Sequence, residues 1–489
     1  MKWPTLCLAL LAGLGWSAAA RADASSPAVA HNTAGIERLQ AGDPQGAAEA
    51  LARALQADPN YAPSYYNLGL ALLASGQTRL ANRILESYIR LGADSLRVAK
   101  ARRAIASTGA APPPTPAQSL QASGYIGPQA CGECHAEKLN GFVETAHYLT
   151  SQPATPATVN GAFKGEDALL LTRNRDLWFE MGRDADGLYQ TANTWTEKGL
   201  DERRERFDLV IGSGKIGQSY LFWRGDRLFQ LPVSHYSATD KWINSPGFRD
   251  GEAFFERTII ARCLECHATY FQSAGHADNI HGKNDQILGV TCERCHGPGA
   301  AHAQEHRQND QTPDRDPIVH PGLLQRDQVL DLCGQCHSDT GPPLKDPFSF
   351  RPGAVLSDYY APPAQDKLKS SGVHAANQVG RLKSSACYAG SPEMSCATCH
   401  DPHALERGDT RLFSQRCREC HAVEACDMSP ELGQVALNNC IDCHMPRRRD
   451  TSTQVQSAHD LQSPLMPDHR IGVYPEATQR FMDTLSAGE

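Results

Sequence analysis

The string C-x-x-C-H, two cysteines three positions apart with a histidine directly after, occurs seven times in the 489 residues. The chain has 17 cysteines and 19 histidines, so a shuffled sequence of this composition would contain on the order of 0.02 copies. These strings therefore constrain the fold of this chain more than any other feature. They begin at Cys131, Cys263, Cys292, Cys333, Cys396, Cys417 and Cys440.

In such a string the two thiols can add across the vinyl groups of heme, and the adjacent histidine then ligates the iron from below the ring. The sequence therefore predicts seven covalently bound heme c groups. The predicted thioether cysteines are Cys131, Cys134, Cys263, Cys266, Cys292, Cys295, Cys333, Cys336, Cys396, Cys399, Cys417, Cys420, Cys440 and Cys443. The predicted proximal ligands are His135, His267, His296, His337, His400, His421 and His444.

Two other uses of paired cysteines explain the strings less well. Zinc sites combine C-x-x-C pairs in twos and need no histidine beside the second cysteine. A thioredoxin-like redox site occurs once in a chain as a rule, whereas this chain has seven strings, each with the adjacent histidine. Heme attachment accounts for both the number and the histidine.

The N-terminus predicts export. Residues 1–22 contain an early lysine, an apolar run too short to span a membrane, and the triplet Ala20-Arg21-Ala22, which are typical of a cleaved signal peptide. An uncleaved anchor helix is the alternative. No later segment approaches the length of a membrane span. Because heme is attached to thiols outside the cytoplasm, we expect the protein in the periplasm.

The charge of the chain excludes one class of partner. The formal net charge is −8, and nothing resembles the basic surface of a nucleic-acid-binding protein. The densest basic cluster is "PRRRD" at residues 446–450. It is either a solvated face or a contact for heme propionates or a protein partner.

A repeat of 34 residues precedes the cysteine strings: Gly42, Ala47 and Leu51 return as Gly76, Ala81 and Leu85. This period predicts a tetratricopeptide-type helical arm over residues 30–107. Two repeats leave an apolar face uncovered, so residues 95–108 are predicted to form a capping helix. The arm either binds a partner protein or is a plain helical hairpin. A linker rich in proline and alanine follows at 108–122.

The remaining chain divides by composition. Aromatic and β-branched runs around Asp-Gly and Gly-Asp turns predict a small antiparallel β insert at 165–245. Beyond Cys263 the sequence predicts short helices and loops, with too little periodic apolar sequence for a core unless bound hemes supply one. The predicted fold is mainly α, with a heme-organised cytochrome c domain over 123–475, which contains the insert, and a tail at 476–489.

Several strings resemble a known family: "YIGPQACGECHAEKLNGFVETAH", "GVTCERCHGPGAAH", "FRPGAVLSDYY", "SCATCHDPH" and "CIDCHMPRR". They are similar to multiheme c-type cytochromes carrying tetratricopeptide repeats, which are related to the tetraheme cytochrome partner of hydroxylamine oxidoreductase. The resemblance covers roughly residues 30–475. It implies closely stacked hemes, mostly with two histidine ligands, in a periplasmic electron-transfer module.

The resemblance also implies distal iron ligands. By position in the matching strings these are His147, His302, His403 and His469. The family tolerates tyrosine where this chain has His235. The remaining candidates are open between ligand and surface residue: His276, His281, His306, His320, His374 and His459.

Two cysteines of the cytochrome region lie outside the seven strings, Cys387 and Cys426. In an oxidising compartment they form either a disulfide or two free thiols.

Three functions fit the sequence. The first is an electron carrier that passes single electrons between redox partner proteins, which the sequence does not identify. The second is an oxidoreductase with one five-coordinate heme that acts on a small nitrogen or sulfur compound. The C-x-x-C-K variant found in enzymatic relatives is absent from the sequence, which favours the carrier. The third is partner docking by the helical arm, which is compatible with the first.

Overall fold

The computed structural model describes residues 26–58, 61–91, 95–108, 120, 122–276, 278–308, 316–362, 375–450, 454–457 and 461–487. The chain divides into two compact units, residues 1–113 and 114–489. The predicted signal peptide and most of the predicted linker lie outside the described residues.

The first unit is a row of five helices in which each contacts the next. Their bounds are α1 Pro27–Gln40, α2 Pro44–Ala57, α3 Ala62–Ala74, α4 Thr78–Leu91 and α5 Ser95–Ser107. The predicted capping helix is α5. It buries Ala101 and Ile105 against Leu85 and Tyr88 of α4, so it covers the apolar face that two repeats alone would expose.

Close packing at a glycine explains the repeat. A Cβ added to Gly35 would lie 2.4 Å from Cγ of Leu51, and one added to Gly69 would lie 2.5 Å from Cγ of Leu85. The two glycines are 34 residues apart, as are the two leucines. The same helix–helix contact is therefore built twice.

We expect Gly69→Ala to destabilise the arm. The overpacked methyl group costs typically about 1–3 kcal/mol, more than the roughly 1 kcal/mol of helix propensity that alanine gains over glycine. Amide hydrogen exchange over residues 62–91 of the full chain should become faster. Gly380→Ala is the matched control, because nothing lies within 4 Å of its added Cβ. Equal exchange in the two variants would contradict this packing.

After two short helices, the second unit forms two antiparallel sheets. Their strands are β1 Ser151–Pro153, β2 Leu169–Leu171, β3 Leu177–Asp184, β4 Gly187–Thr196, β5 Gly199–Arg206, β6 Leu209–Ile211, β7 Gly217–Arg224, β8 Arg227–Gln230, β9 Val233–Tyr236 and β10 Lys241–Asn244. The order is β2-β3-β4-β5 in one sheet and β1-β6-β7-β9-β10 in the other, with β8 paired to β7. Phe179, Tyr220 and Phe222 lie fully buried in the core of this region.

The strands begin earlier than the predicted insert. Strand β1 is three residues long and pairs with the distant β6, in the register Ser151 with Ile211. No local turn marks it, so the sequence pattern does not indicate it. A second unexpected element is the hairpin of β11 Ala268–Ser273 and β12 His281–Leu288, whose pairing shifts register twice.

The rest of this unit consists of short helices and two small strand pairs. Its helices are Pro128–Gly132, Ala136–Phe142, Ala261–His267, Cys292–His296, Ala300–Gln308, Arg326–His337, Gln378–Lys383, Ala386–Gly390, Cys396–Cys399, Thr410–Arg418, Ser429–Leu432, Gln434–Asn438, Ile441–His444 and Pro475–Ala487. The small pairs join Arg447–Arg449 with Leu465–Pro467 and Val455–Gln456 with Leu461–Gln462.

Of the residues that the structure describes, 43% are helical and 20% are in strands. The mainly α prediction therefore describes the arm well and the second unit only in part. The predicted tail is a helix, Pro475–Ala487, in which Ala477 is buried. None of the described helices is long and apolar enough to cross a membrane.

Candidate heme-binding centres

One helical turn organises the C-x-x-C-H strings. The backbone N–H of His135 donates to the carbonyl of Cys131 at 2.9 Å, and His400 and His444 make the same bond to Cys396 and Cys440 at 2.9 and 3.0 Å. Residues three and four apart lie on one face of a helix. Both thiols and the imidazole of a string are thereby presented to one side, as attachment to a single planar group requires.

Four proximal imidazoles each face a second imidazole from elsewhere in the chain. Two imidazoles on opposite sides of one metal ion stand with ring centroids about 6.3 Å apart, because each metal–nitrogen bond is about 2.0 Å long and each ring centre lies roughly 1 Å behind its nitrogen. The observed centroid separations are 6.3 Å for His135–His302, 6.3 Å for His337–His147, 6.1 Å for His296–His403 and 6.2 Å for His400–His469. The spacing fits an iron held between the rings of each pair.

The protonation of two of these rings suits metal binding. Desolvation by the surrounding protein lowers the pKa of both His147 and His469 to about 4, and the neighbouring His400 and His337 contribute to the shift. Both imidazoles are therefore neutral near pH 7, which is the form that ligates metals.

Cysteines of different strings are in contact. Thiols of different strings lie close enough to shift each other's pKa: Cys131 with Cys292, Cys266 with Cys336, Cys333 with Cys396 and Cys417 with Cys440. Cys295 lies near Cys333, and Cys399 lies near Cys417. The strings thus form one continuous series in the order first, third, fourth, fifth, sixth and seventh. The second string contacts the fourth.

In three proximal imidazoles the ring nitrogen Nδ1 has an uncharged hydrogen-bond partner. Nδ1 of His296 donates to the carbonyl of Val319, and Nδ1 of His444 donates to that of Gly472, both at 2.9 Å. Nδ1 of His267 lies 2.9 Å from the hydroxyl of Thr150. Such contacts fix the ring orientation and leave Nε2 for a metal.

A buried carboxylate that the sequence pattern does not indicate lies inside the third string. Glu293 is 1% exposed and accepts three backbone N–H groups, from Ile126 at 2.9 Å and from Gly127 and Gly299 at 2.8 Å. It ties the loop before the first string to the third. The only signal in the sequence is a charged residue between two cysteines, which usually means a solvated side chain.

Glu293→Ala should be strongly destabilising. It leaves three buried N–H groups unsatisfied, each costing about 1–3 kcal/mol, so we expect a total loss of about 3–5 kcal/mol or more. The matched control is Glu133→Ala in the first string, whose exposed ion pair with Arg307 contributes about 0–1 kcal/mol. Denaturant unfolding of the heme-loaded protein measures both, and similar midpoints would show that Glu293 is not an anchor.

A buried charged cluster joins the second, third and fourth strings. Glu265 accepts the backbone N–H of Phe348 at 2.8 Å, and its carbonyl accepts from Arg294 at 2.8 Å. Arg262 donates to the carbonyl of Gln335 at 2.7 Å and stacks on Tyr360. Phe348 lies just before the "FRPGAVLSDYY" string, and Tyr360 is its last residue. This string therefore packs between the cysteine motifs.

Other candidate histidines have structural contacts. His281 is buried with Nδ1 near the hydroxyl of Ser273 at 2.9 Å and Nε2 near the carbonyl of Ile259 at 2.8 Å. His235 contacts Asp240 through Nε2 at 3.0 Å. His276 bonds the carbonyl of Lys345, His306 lies near Asp316, and His320 is exposed. The candidates His374 and His459 lie outside the described residues.

Three proximal histidines differ from the other four. Among the residues that the structure describes, no second imidazole stands opposite His267, His421 or His444. His421 is exposed, whereas desolvation lowers the pKa of His267.

The structure also describes the two cysteines outside the strings and the "PRRRD" cluster. All described cysteines are free thiols, so the structure contains no disulfide between Cys387 and Cys426. In the "PRRRD" cluster, Arg448 pairs with the buried Asp468 at 2.9 Å.

Family models match two parts of the chain. A tetratricopeptide repeat model matches residues 38–105, and a model described as cytochrome c554 and c-prime matches residues 233–297. The dissimilatory sulfite reductase MccA of Wolinella succinogenes is 22% identical over 395 residues, which are 66% of this chain and 50% of MccA. The chain thus spans about half the length of the curated relative it matches.

Two solved structures are also similar. The outer cell wall cytochrome OcwA aligns with a TM-score of 0.43 at 16% identity, over 73% of this chain and 81% of OcwA. An undecaheme cytochrome from the S-layer of Carboxydothermus ferrireducens aligns with a TM-score of 0.32 at 16% identity, over 81% of this chain and 64% of that one. Both scores are below 0.5, too low to establish a shared fold. The repeated C-x-x-C-H strings and the two family matches support a multiheme c-type cytochrome that contains tetratricopeptide repeats.

Proposed function

We propose that this cytochrome transfers single electrons through seven covalently bound hemes. The observation that carries the proposal is the set of four imidazole pairs separated by 6.1–6.3 Å. When bound, heme iron with two imidazole ligands supplies low-spin one-electron chemistry with little rearrangement. At these four centres the paired imidazoles of the chain would hold the iron of a bound heme.

The contacts between cysteines set the order of the proposed path. The strings that follow one another in space begin at Cys131, Cys292, Cys333, Cys396, Cys417 and Cys440. The string at Cys263 joins at the fourth string through Cys266 and Cys336. The fourth string is therefore the junction between a continuous series and a side branch.

We further propose that the protein works in the periplasm and that its arm binds a redox partner. The predicted signal peptide and the extracytoplasmic assembly of c-type hemes support the first point. The tetratricopeptide match over 38–105 supports the second. Deletion of residues 30–107 should keep the heme content and abolish co-purification with the partner; a partner retained after deletion would refute docking by the arm.

Reductive titration tests the electron-transfer proposal. The purified cytochrome should take up seven electrons per chain, and the oxidised protein should give mainly low-spin resonances in electron paramagnetic resonance (EPR) spectra. A protein with mostly high-spin iron, or with uptake well below seven electrons, would contradict it.

A second candidate function is an oxidoreductase acting at the heme of the second string. His267 lies on the side branch with no second imidazole among the described residues, and MccA is named a dissimilatory sulfite reductase. An open iron position suits binding of a small molecule. Sulfite, nitrite and carbon monoxide are the probes. A spectral change in about one seventh of the heme favours the enzyme if that change is absent from His267→Ala. No spectral change favours the carrier.

A further inference from the structure

Two of the distal imidazoles have a charged partner at the ring nitrogen Nδ1. In each, Nδ1 lies beside a carboxylate oxygen. Nδ1 of His302 lies 2.7 Å from Oδ1 of Asp316, and Nδ1 of His403 lies 3.2 Å from Oδ1 of Asp401. The corresponding partners of His296 and His444 are neutral backbone carbonyls. The chain therefore places negative charge behind selected ligands.

Each carboxylate is held by its own loop. Oδ1 of Asp316 also accepts the backbone N–H of Ile318 at 3.2 Å, and Oδ1 of Asp401 accepts that of His403 at 2.9 Å. Both aspartates therefore reach the imidazole in an orientation fixed by the backbone. An imidazole that donates from Nδ1 to a carboxylate presents Nε2 to the metal and is a more basic ligand.

The two rings serve neighbouring centres. His302 faces His135 of the first string, and His403 faces His296 of the third. The same two strings are joined by the contact between Cys131 and Cys292. The carboxylates therefore act together at one end of the series of strings.

We infer that Asp316 and Asp401 are positioning residues that lower the reduction potentials of the first and third hemes. The inference rests on the proposed electron-transfer function. A more basic ligand stabilises the oxidised iron, which carries the higher charge. This end of the series is then the low-potential end, and electrons placed on it move towards the fourth string.

The two contacts predict effects of different size. Asp316 has the shorter contact and is 35% exposed, whereas Asp401 is 48% exposed. Because solvent screens an exposed charge, Asp316 should affect its heme more strongly.

Spectroelectrochemical titration of Asp316→Asn tests the inference. Asparagine keeps the oxygen acceptor and removes the charge, so the iron should stay low-spin. The reduction equilibrium of one heme should move about tenfold towards the reduced form, which is a rise of about 59 mV for one electron. Asp401→Asn should give a smaller shift in the same direction.

Glu137→Gln is the matched control, because it removes an exposed negative charge two residues beyond His135 without a contact to an imidazole. Its titration should equal that of the unaltered protein. Asp316→Glu keeps the charge and should restore most of the original potential. It provides a second test if the asparagine variant disturbs His302.

The outcomes separate the inference from the proposed function. Low-spin Asp316→Asn with unchanged potentials, or a shift matched by Glu137→Gln, would overturn the inference and leave electron transfer standing. A protein without attached heme, or with high-spin iron at these centres before mutation, would overturn the proposed function itself.

Discussion

His147→Ala is expected to convert one of the seven proposed hemes from low-spin to high-spin. The His147 ring faces His337 at 6.3 Å, and alanine offers no nitrogen in its place. His337 belongs to the fourth string, the junction of the proposed path, so the open centre should also slow the redistribution of electrons between the two ends. EPR integration of the oxidised protein measures the high-spin fraction, which should rise by about one seventh relative to the unaltered protein.

The control for this variant is His31→Ala in the helical arm, which removes a histidine remote in sequence from every C-x-x-C-H string. Its spectrum should match that of the unaltered protein. If His147→Ala remains fully low-spin, the assignment of His147 to the fourth heme is wrong.

Loss of the fourth attachment site should have the second large effect. In Cys333→Ser/Cys336→Ser no thioether can form, so the protein should carry six covalent hemes. Cys333 contacts Cys396 and Cys336 contacts Cys266, so the change removes the link between three other strings. After flash reduction by a photoexcited flavin, electron equilibration between the separated groups should be lost or slowed by orders of magnitude.

Cys417→Ser/Cys420→Ser is the corresponding control near the end of the series. It also removes one heme but leaves the first five strings in contact. Equilibration among those five should persist. If the two double variants equilibrate equally fast, the fourth string is not the junction.

The sequence indicates local features of this fold better than distant pairings. The 34-residue period led to the helical arm because each repeat places the same glycine against the same leucine, as Gly69 and Leu85 illustrate. Strand β1 escaped prediction because its pairing with β6 joins residues about sixty positions apart. The structure has Cys387 and Cys426 as free thiols rather than as a disulfide, a choice that the two cysteines alone left open.

In the candidate site, likewise, individual ligand positions could be predicted but their spatial partners could not. The family resemblance selected His147, His302, His403 and His469, and the structure sets each opposite a proximal ring. Which ring meets which is not readable from spacing, since His147 pairs with a string almost two hundred residues later. The carboxylates of Asp316 and Glu293 were also missed, because an isolated acidic residue has no pattern until its partners are known.

Mass spectrometry of the denatured, proteolysed protein tests the central claim most directly. Covalent attachment predicts that each of the seven peptides containing a C-x-x-C-H string carries the mass of one heme. Unmodified cysteines in these peptides, or zinc as the only bound metal in a colourless protein, would contradict the account.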